Sequence, residues 1–158
     1  MAAEIESKYI CKELPKGLDH IDYKILWQGY IHIDPTKQVR VRLVDNTAKM
    51  CIKFMSGNYR DEFEATIDYE EGLKLYNLCK YKVVKRRYSL QLPDGCHCDI
   101  DLYDDGTKIV EVERPTLEFV PDLPDWIGEC VDGQWRYNNY YFAGFPEKDY
   151  INIQTDII

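Results

Sequence analysis

Glu4-Ile5-Glu6-Ser7-Lys8 sets two acids and a base on alternate residues near the start of the chain. In an extended segment alternate side chains share one face, so Glu4, Glu6 and Lys8 point the same way. The device recurs with Arg40 and Arg42 in QVRVRLV, Glu62 and Glu64 in DEFEAT, and Lys85 and Arg87 in VKRRYSL. It recurs again with Asp99 and Asp101 around Ile100 and with Glu111 and Glu113 around Val112, while Lys53 stands alone in MCIKFM. Acid pairs of this kind suit divalent cations that take hard oxygen ligands, Mg²⁺ or Mn²⁺. Arginine pairs suit oxyanions, because the planar guanidinium fork matches two phosphate oxygens. Together these types describe a site for a metal-bound polyphosphate.

Any one pair alone reads as the wet side of a half-buried strand. The set departs from that reading in two respects. Each cluster is nearly pure in sign, whereas a solvated sheet face mixes charges, and like charges at this spacing repel. The alternate residues, such as Val39, Val41 and Leu43 or Phe63, are large and apolar, so their face must be covered. A barrel with an inverted interior reconciles both: ionic side chains line the lumen and apolar faces pack outward against helices. Burying so many charges requires that they pair, stay hydrated or bind ions.

The elements that would position these residues are short alternating runs broken by turns. EIESKYIC and KILWQGYIHI read as strands, QVRVRLV and AKMCIKFM flank a tight turn at DNT, and YRDEFEATIDY follows SGN. Glu70 and Glu71 ahead of Leu73, Tyr76 and Leu78 predict a short helix. YKVVKRRYSLQL, CHCDIDLYD and KIVEVERP resume strand character across PDG and DDG turns. Beyond them the pattern is mixed, with Asp132 placed to cap a helix through QWRYNNYYFA. Such a series predicts an antiparallel meander that closes into a barrel, since closure removes exposed edges. The 158 residues are expected to form a single domain, 1–158. Thirteen tyrosines agree with a chain rich in strands.

Charge and composition exclude several functions. A net charge of −8 gives no support to general nucleic-acid or membrane-surface binding. No apolar run approaches the ~20 residues of a membrane span, and no signal peptide is read at the start. Six cysteines without a CxxC pair are expected to be thiols of a cytoplasmic protein. Cys96 and Cys98 of CHC fall on the face opposite Asp99 and Asp101, so they read as packing residues rather than zinc ligands. His20, His32 and His97 have no nucleophile partner pattern. Trp27, Trp126 and Trp135 read as core or rim aromatics.

The opening Glu4-x-Glu6-x-Lys8 resembles the ExExK signature of the CYTH superfamily, the triphosphate tunnel metalloenzymes. WQGYI, VRVRL, CIKF, EFEATI, VKRRYSLQLPDG, CDIDLYDDG and IVEVERP resemble that family's remaining strands, in order. WIGECVDGQWRYNN resembles its G-x-x-V and RYxN segments, with Arg136, Tyr137 and Asn139 at the matching places. The resemblance spans roughly residues 3–143. ExExK alone is a weak signal, whereas eight ordered segments are a strong one.

The resemblance implies an eight-stranded antiparallel closed β-barrel, mainly β, with a few helices outside. It implies metal-dependent hydrolysis of inorganic tripolyphosphate or a small organic triphosphate, with Mg²⁺ or Mn²⁺ as cofactor. Thiamine triphosphatase, class IV adenylyl cyclase and a non-catalytic polyphosphate or nucleotide binder are the alternatives. By position, Lys8, Arg40, Arg42, Lys53, Lys85 and Arg87 would hold phosphates. Glu4, Glu6, Glu111 and Glu113 would supply metal ligands, directly or through water, with Asp99 and Asp101 as further acids nearby. Glu62 and Glu64 match the acidic fifth strand, and Glu64 is a candidate for orienting the attacking water. Lys8 beside Tyr30 is a candidate for acting on the nucleophile or leaving group. The implied partner is a small-molecule triphosphate, with no nucleic acid and no membrane, for a monomer or homodimer. Cys130, Asp132 and Arg114-Pro115 depart from the family pattern, toward the C-terminal segment.

Overall fold

In the computed structural model, residues 2–56 and 59–146 are described, with side chains from Ile5 onward. Period-two apolar residues form β1 (Ala2–Cys11), β2 (Tyr23–Ile33), β3 (Lys37–Val44), β4 (Thr47–Ser56) and β5 (Tyr59–Ile67). After α1 (Tyr69–Leu78) come β6 (Tyr81–Gln91), β7 (His97–Tyr103), β8 (Lys108–Glu113), β9 (Ile127–Cys130) and α2 (Asn139–Phe142). The sheet order is β5-β4-β3-β2-β6-β7-β8-β1, and β1 also pairs with β5, so the first eight strands close. All these pairings are antiparallel, and β9 adds to the second half of β1. The barrel foreseen from sequence is therefore present, but it is not a simple meander. Two meanders, β2–β5 and β6–β8, are joined by β2 against β6 on one side and by β1 on the other. The reason lies in the two long links, residues 12–22 and α1, which carry the chain across the barrel instead of turning it in place.

The helix foreseen at Glu70–Leu78 is α1, capped by Asp68, whose side chain accepts from the Glu71 amide at 3.1 Å. Its buried face, with Gly72 and Tyr76, lies on Val41, Leu43 and Ala48 of β3 and β4. The approach is close. A Cβ on Gly72 would stand 2.4 Å from that of Ala48, and one on Gly29 2.8 Å from Cys79 Sγ. The larger outer cluster joins Tyr9, Cys98, Ile100, Val110 and Val112 to Leu18 and Ile127. Irregular chain rather than helix roofs it, with Leu123 and Trp126 packed on top. Cys98 is fully buried there, as its strand parity requires.

The C-terminal helix read from sequence is instead a 3-10 turn, Trp135–Tyr137, followed by the single-turn α2. Asp132 caps neither: its carboxylate accepts from the Lys8 backbone N–H at 2.7 Å, while Val131 N–H donates to Lys8 C=O at 2.8 Å. The strand β9, within a stretch whose sequence reads as mixed, and Asp132 together strap this segment onto β1. Tyr137, Tyr140, Phe142 and Ala143 then pack on Tyr30, Val83, Tyr103 and Ile109, across the barrel end where β7 finishes and β8 begins. The Phe142 ring stacks on Tyr103 at 4.0 Å. No helix among the described residues is long and apolar enough to cross a membrane.

Candidate active site

Strand register decides which charges meet. Glu6 lies opposite Glu113 and Lys8 opposite Glu111 across β1 and β8, and Asp99 lies opposite Glu111 across β7 and β8. Across β3, β4 and β5, Gln38 faces Lys53, Lys53 faces Glu62, and Arg40 faces Cys51. These rows enclose a cavity of about 680 Å³. Lys8, Arg40, Arg42, Lys53 and Arg87 line it, as do Glu6, Glu62, Asp99, Glu111 and Glu113.

Four other sequence-predicted residues lie elsewhere, and the side chain of a fifth, Glu4, lies outside the described residues. Asp101 is fully buried behind Arg87, not free for a metal. Its Oδ1 accepts from Arg87 Nε at 2.7 Å, and its Oδ2 from Arg87 Nη2 at 2.8 Å and Lys85 Nζ at 2.6 Å. Lys85, expected on phosphate, is fully buried with it and also donates to Asn139 Oδ1 at 2.8 Å. Tyr30 is buried beside Arg40 in the apolar cluster under α2. Glu64 is exposed and pairs with Lys49 at 3.0 Å. Glu4 pairs through its backbone with Arg60, and its side chain lies outside the described residues.

Arg60 and Asn138, which sequence reasoning passed over, complete the wall with Asn139 of the RYxN segment, and Gln28 backs it. Arg60 lines the cavity and pairs with Glu6 at 3.1 Å. Strand parity carried two residues back from Glu62 reaches it. Lys8 Nζ donates to Tyr137 C=O and Asn138 Oδ1, both at 3.1 Å. Tyr103 OH, like Lys85 Nζ, donates to Asn139 Oδ1, so α2 and the turn before it hold one lumen lysine, Lys8, and one buried behind the lumen, Lys85. Gln28 Oε1 accepts from Arg42 Nε at 2.7 Å. No alternating pattern marks the two asparagines, because a folded-back irregular segment delivers them.

Burial and neighbouring charge set the protonation states. Burial works against ionisation of Glu111, yet Lys8, then Arg87 and Lys85, outweigh it and hold the carboxyl well below its usual range. Burial depresses Lys8, with Glu111 and Glu6 opposing. Burial, then Arg40 and Arg87, push Arg42 down to about 9. At Arg87 burial is outweighed by Asp101, which raises the guanidinium. Among the described residues, Arg40 Nε and Gln28 Nε2 are buried without a hydrogen-bond partner, and of the two only Arg40 lines the cavity. An unpaired donor on a cationic wall is what an oxyanion would satisfy.

The opposite wall fits a hard divalent cation. Glu6, Asp99, Glu111 and Glu113 come from three adjacent strands and offer only carboxylate oxygens. Mg²⁺ needs no dense protein cage, since it uses one or two carboxylates with water and phosphate oxygens. Among the described residues, the ligand atoms that gather within 4.8 Å of one another are those of Cys51, Glu62 and Glu64. That group fits poorly. Its third ligand is a thiol, which a hard cation does not favour, and burial pushes that Cys51 thiol up to about 11.

A closed antiparallel barrel with acids on one wall of its lumen and buried arginines on another is a triphosphate tunnel of the CYTH type. No family model matches the chain. It is 34% identical over 161 residues to an inorganic triphosphatase of Acetivibrio thermocellus, covering 95% of this chain and 99% of that protein. It is 33% identical over 150 residues to an inorganic triphosphatase of Nitrosomonas europaea, covering 89% and 96%. The solved structure of the inorganic triphosphatase NE1496 superposes with a TM-score of 0.65 at 30% identity, over 90% of this chain and 95% of that one. The PH1012 protein of Pyrococcus horikoshii, at 16% identity and a TM-score of 0.58 over 72% and 79%, shares the fold. The chain belongs to the inorganic triphosphatase family.

Proposed function

We propose that this protein is a divalent-metal-dependent triphosphatase whose first substrate is inorganic tripolyphosphate, cleaved by water to diphosphate and phosphate. The observation that carries the reading is the pair of opposed walls, with Arg42, Arg87 and Arg40, whose buried Nε has no acceptor among the described residues, on one and hard oxygen ligands on the other. Arg40, Arg42, Lys53 and Arg87 would grip phosphate oxygens and stabilise the charge that spreads over the transferred group. Glu6, Glu111 and Glu113, with Glu4 and Asp99, would hold Mg²⁺ or Mn²⁺, which when bound neutralises phosphate charge and lowers the pKa of water. Lys85 and Asp101 would act behind this layer by fixing Arg87. Lys8 and Tyr30 sit toward the end covered by α2, with Lys8 supplying positive charge beside Glu111. Of the fifth-strand acids, Glu62 lines the cavity and would orient the attacking water, while Glu64 is exposed and held by Lys49. We place the enzyme in the cytoplasm as one catalytic domain, in keeping with six cysteines that are all free thiols.

The test is phosphate release by purified protein from tripolyphosphate, thiamine triphosphate, ATP and pyrophosphate, with Mg²⁺, Mn²⁺ or chelator, beside a cyclic AMP assay. Metal-dependent release fastest from tripolyphosphate is expected. Cyclic AMP formation from ATP would replace the reading with a cyclase, and tight binding without turnover would replace it with a polyphosphate sensor.

A further inference from the structure

Gln28 stands at the middle of β2, opposite Arg42 of β3, and is fully buried. Its Oε1 accepts from Arg42 Nε at 2.7 Å, which settles the amide's orientation. Turned the other way, an NH₂ would face an N–H, donor against donor. The cost of this arrangement is visible, because Gln28 Nε2 is left buried with no acceptor among the described residues. An unpaired buried donor is unfavourable, and a strand interior would be better filled by an aliphatic side chain such as Leu26 two residues earlier. Packing therefore does not explain Gln28.

The chemistry of its neighbour does. Arg87 is gripped by a carboxylate, Asp101, which fixes it and cancels much of its charge. Arg42 lies between Arg40 and Arg87, whose charges repel it. A neutral acceptor on Nε can fix such a guanidinium without cancelling its charge, and it leaves both terminal amino groups free for the cavity that Arg42 lines. We propose that Gln28 is a positioning residue that holds Arg42 by its Nε so that the terminal fork meets a phosphoryl group at full charge. The inference rests on the triphosphatase reading and adds to it a residue that does not itself line the cavity.

The test is Gln28→Leu, alone and combined with Arg42→Ala, read by tripolyphosphate kinetics and by thermal unfolding. Q28L is expected to raise KM about tenfold, the range for a hydrogen bond to a charged group, with kcat changed less. Its Tm is expected to stay close to that of the wild type, because the substitution removes one unpaired buried donor, Gln28 Nε2, and leaves another, Arg42 Nε, without its acceptor. In the Arg42→Ala background Q28L should change KM no further, since its effect passes through Arg42. A KM within twofold of wild type, an equal KM increase in both backgrounds, or a lowered Tm with parallel loss of kcat would each overturn the proposal. A wild-type protein without turnover sinks the triphosphatase reading separately. Gln28 is then judged by the Tm rise that tripolyphosphate induces in the wild type, which Q28L should reduce. An equal rise, or none in the wild type, removes the proposal too.

Discussion

Replacing Asp101 by Asn tests the layer behind the lumen most sharply. The carboxylate is fully buried and accepts three hydrogen bonds, from Lys85 Nζ at 2.6 Å and from Arg87 at 2.7 and 2.8 Å. Asn keeps the shape but removes the charge: one oxygen still accepts, while the N–H on the other side faces an NH₂ that can only donate, and Lys85 and Arg87 lose their counter-charge. Breaking a buried pair from one side costs about 3–5 kcal/mol. For a chain of this size each kcal/mol moves Tm by roughly 2–4 °C, so a fall on the order of 10 °C is expected. The deficit should depend on pH with a definite sign. Burial already lowers the Lys85 pKa, and Asp101 is the largest influence opposing it. In Asp101→Asn the folded pKa falls further below the unfolded value, so the unfolded chain binds the extra proton across the interval between them. Stability then rises with pH through that interval, and the gap to wild type narrows up to the wild-type folded pKa of about 7 and stays constant above it, where both proteins have shed the Lys85 proton. The part due to Arg87 persists. Thermal unfolding by circular dichroism from pH 6 to 9, beside kcat/KM for tripolyphosphate, reads both effects. A Tm within 2 °C of wild type at pH 7, or a deficit that widens as pH rises, would refute the reasoning.

Glu111→Gln should abolish metal-dependent phosphate release, as chelation should in the wild type; turnover near the wild-type rate would remove Glu111 from the metal wall. Arg42→Ala should raise KM for tripolyphosphate by about tenfold or more, in line with loss of charge-assisted hydrogen bonds, and unchanged kcat and KM would take it out of the site. Gly72→Val should lower stability by about 1–3 kcal/mol through overpacking, because its Cβ would stand 2.4 Å from that of Ala48. Its kinetics at 25 °C should match the wild type, since α1 packs on the outer face, and denaturant unfolding beside steady-state rates will separate the two.

Much of the lumen was legible because a strand's period of two is a local property. Arg40 with Arg42, or Glu111 with Glu113, must share a face wherever those strands lie, and sign-pure rows with apolar alternates admit few arrangements other than an ionic interior. The same rule reaches Arg60, two residues before Glu62, although the acids drew the attention there. It fails for Asn138 and Asn139, whose segment has no period to read. It also cannot separate the Asp99 and Asp101 pair, which look alike along the chain.

The positions of β1–β8, the helix at Tyr69–Leu78, the faces on which charges lie and the chemistry they suit were determined by the sequence alone, since each depends on residues a few positions apart. Only the tertiary structure decided which charges would work together. The Arg87–Asp101 register takes one acid out of the cavity, while Asp99 one pleat earlier lines it. Insertion of β1 between β5 and β8 brings Glu6 and Lys8 against Glu113 and Glu111, over a hundred residues along the chain. Pairings of that kind depend on loop closure and on how the whole barrel shuts, and no local pattern carries that information.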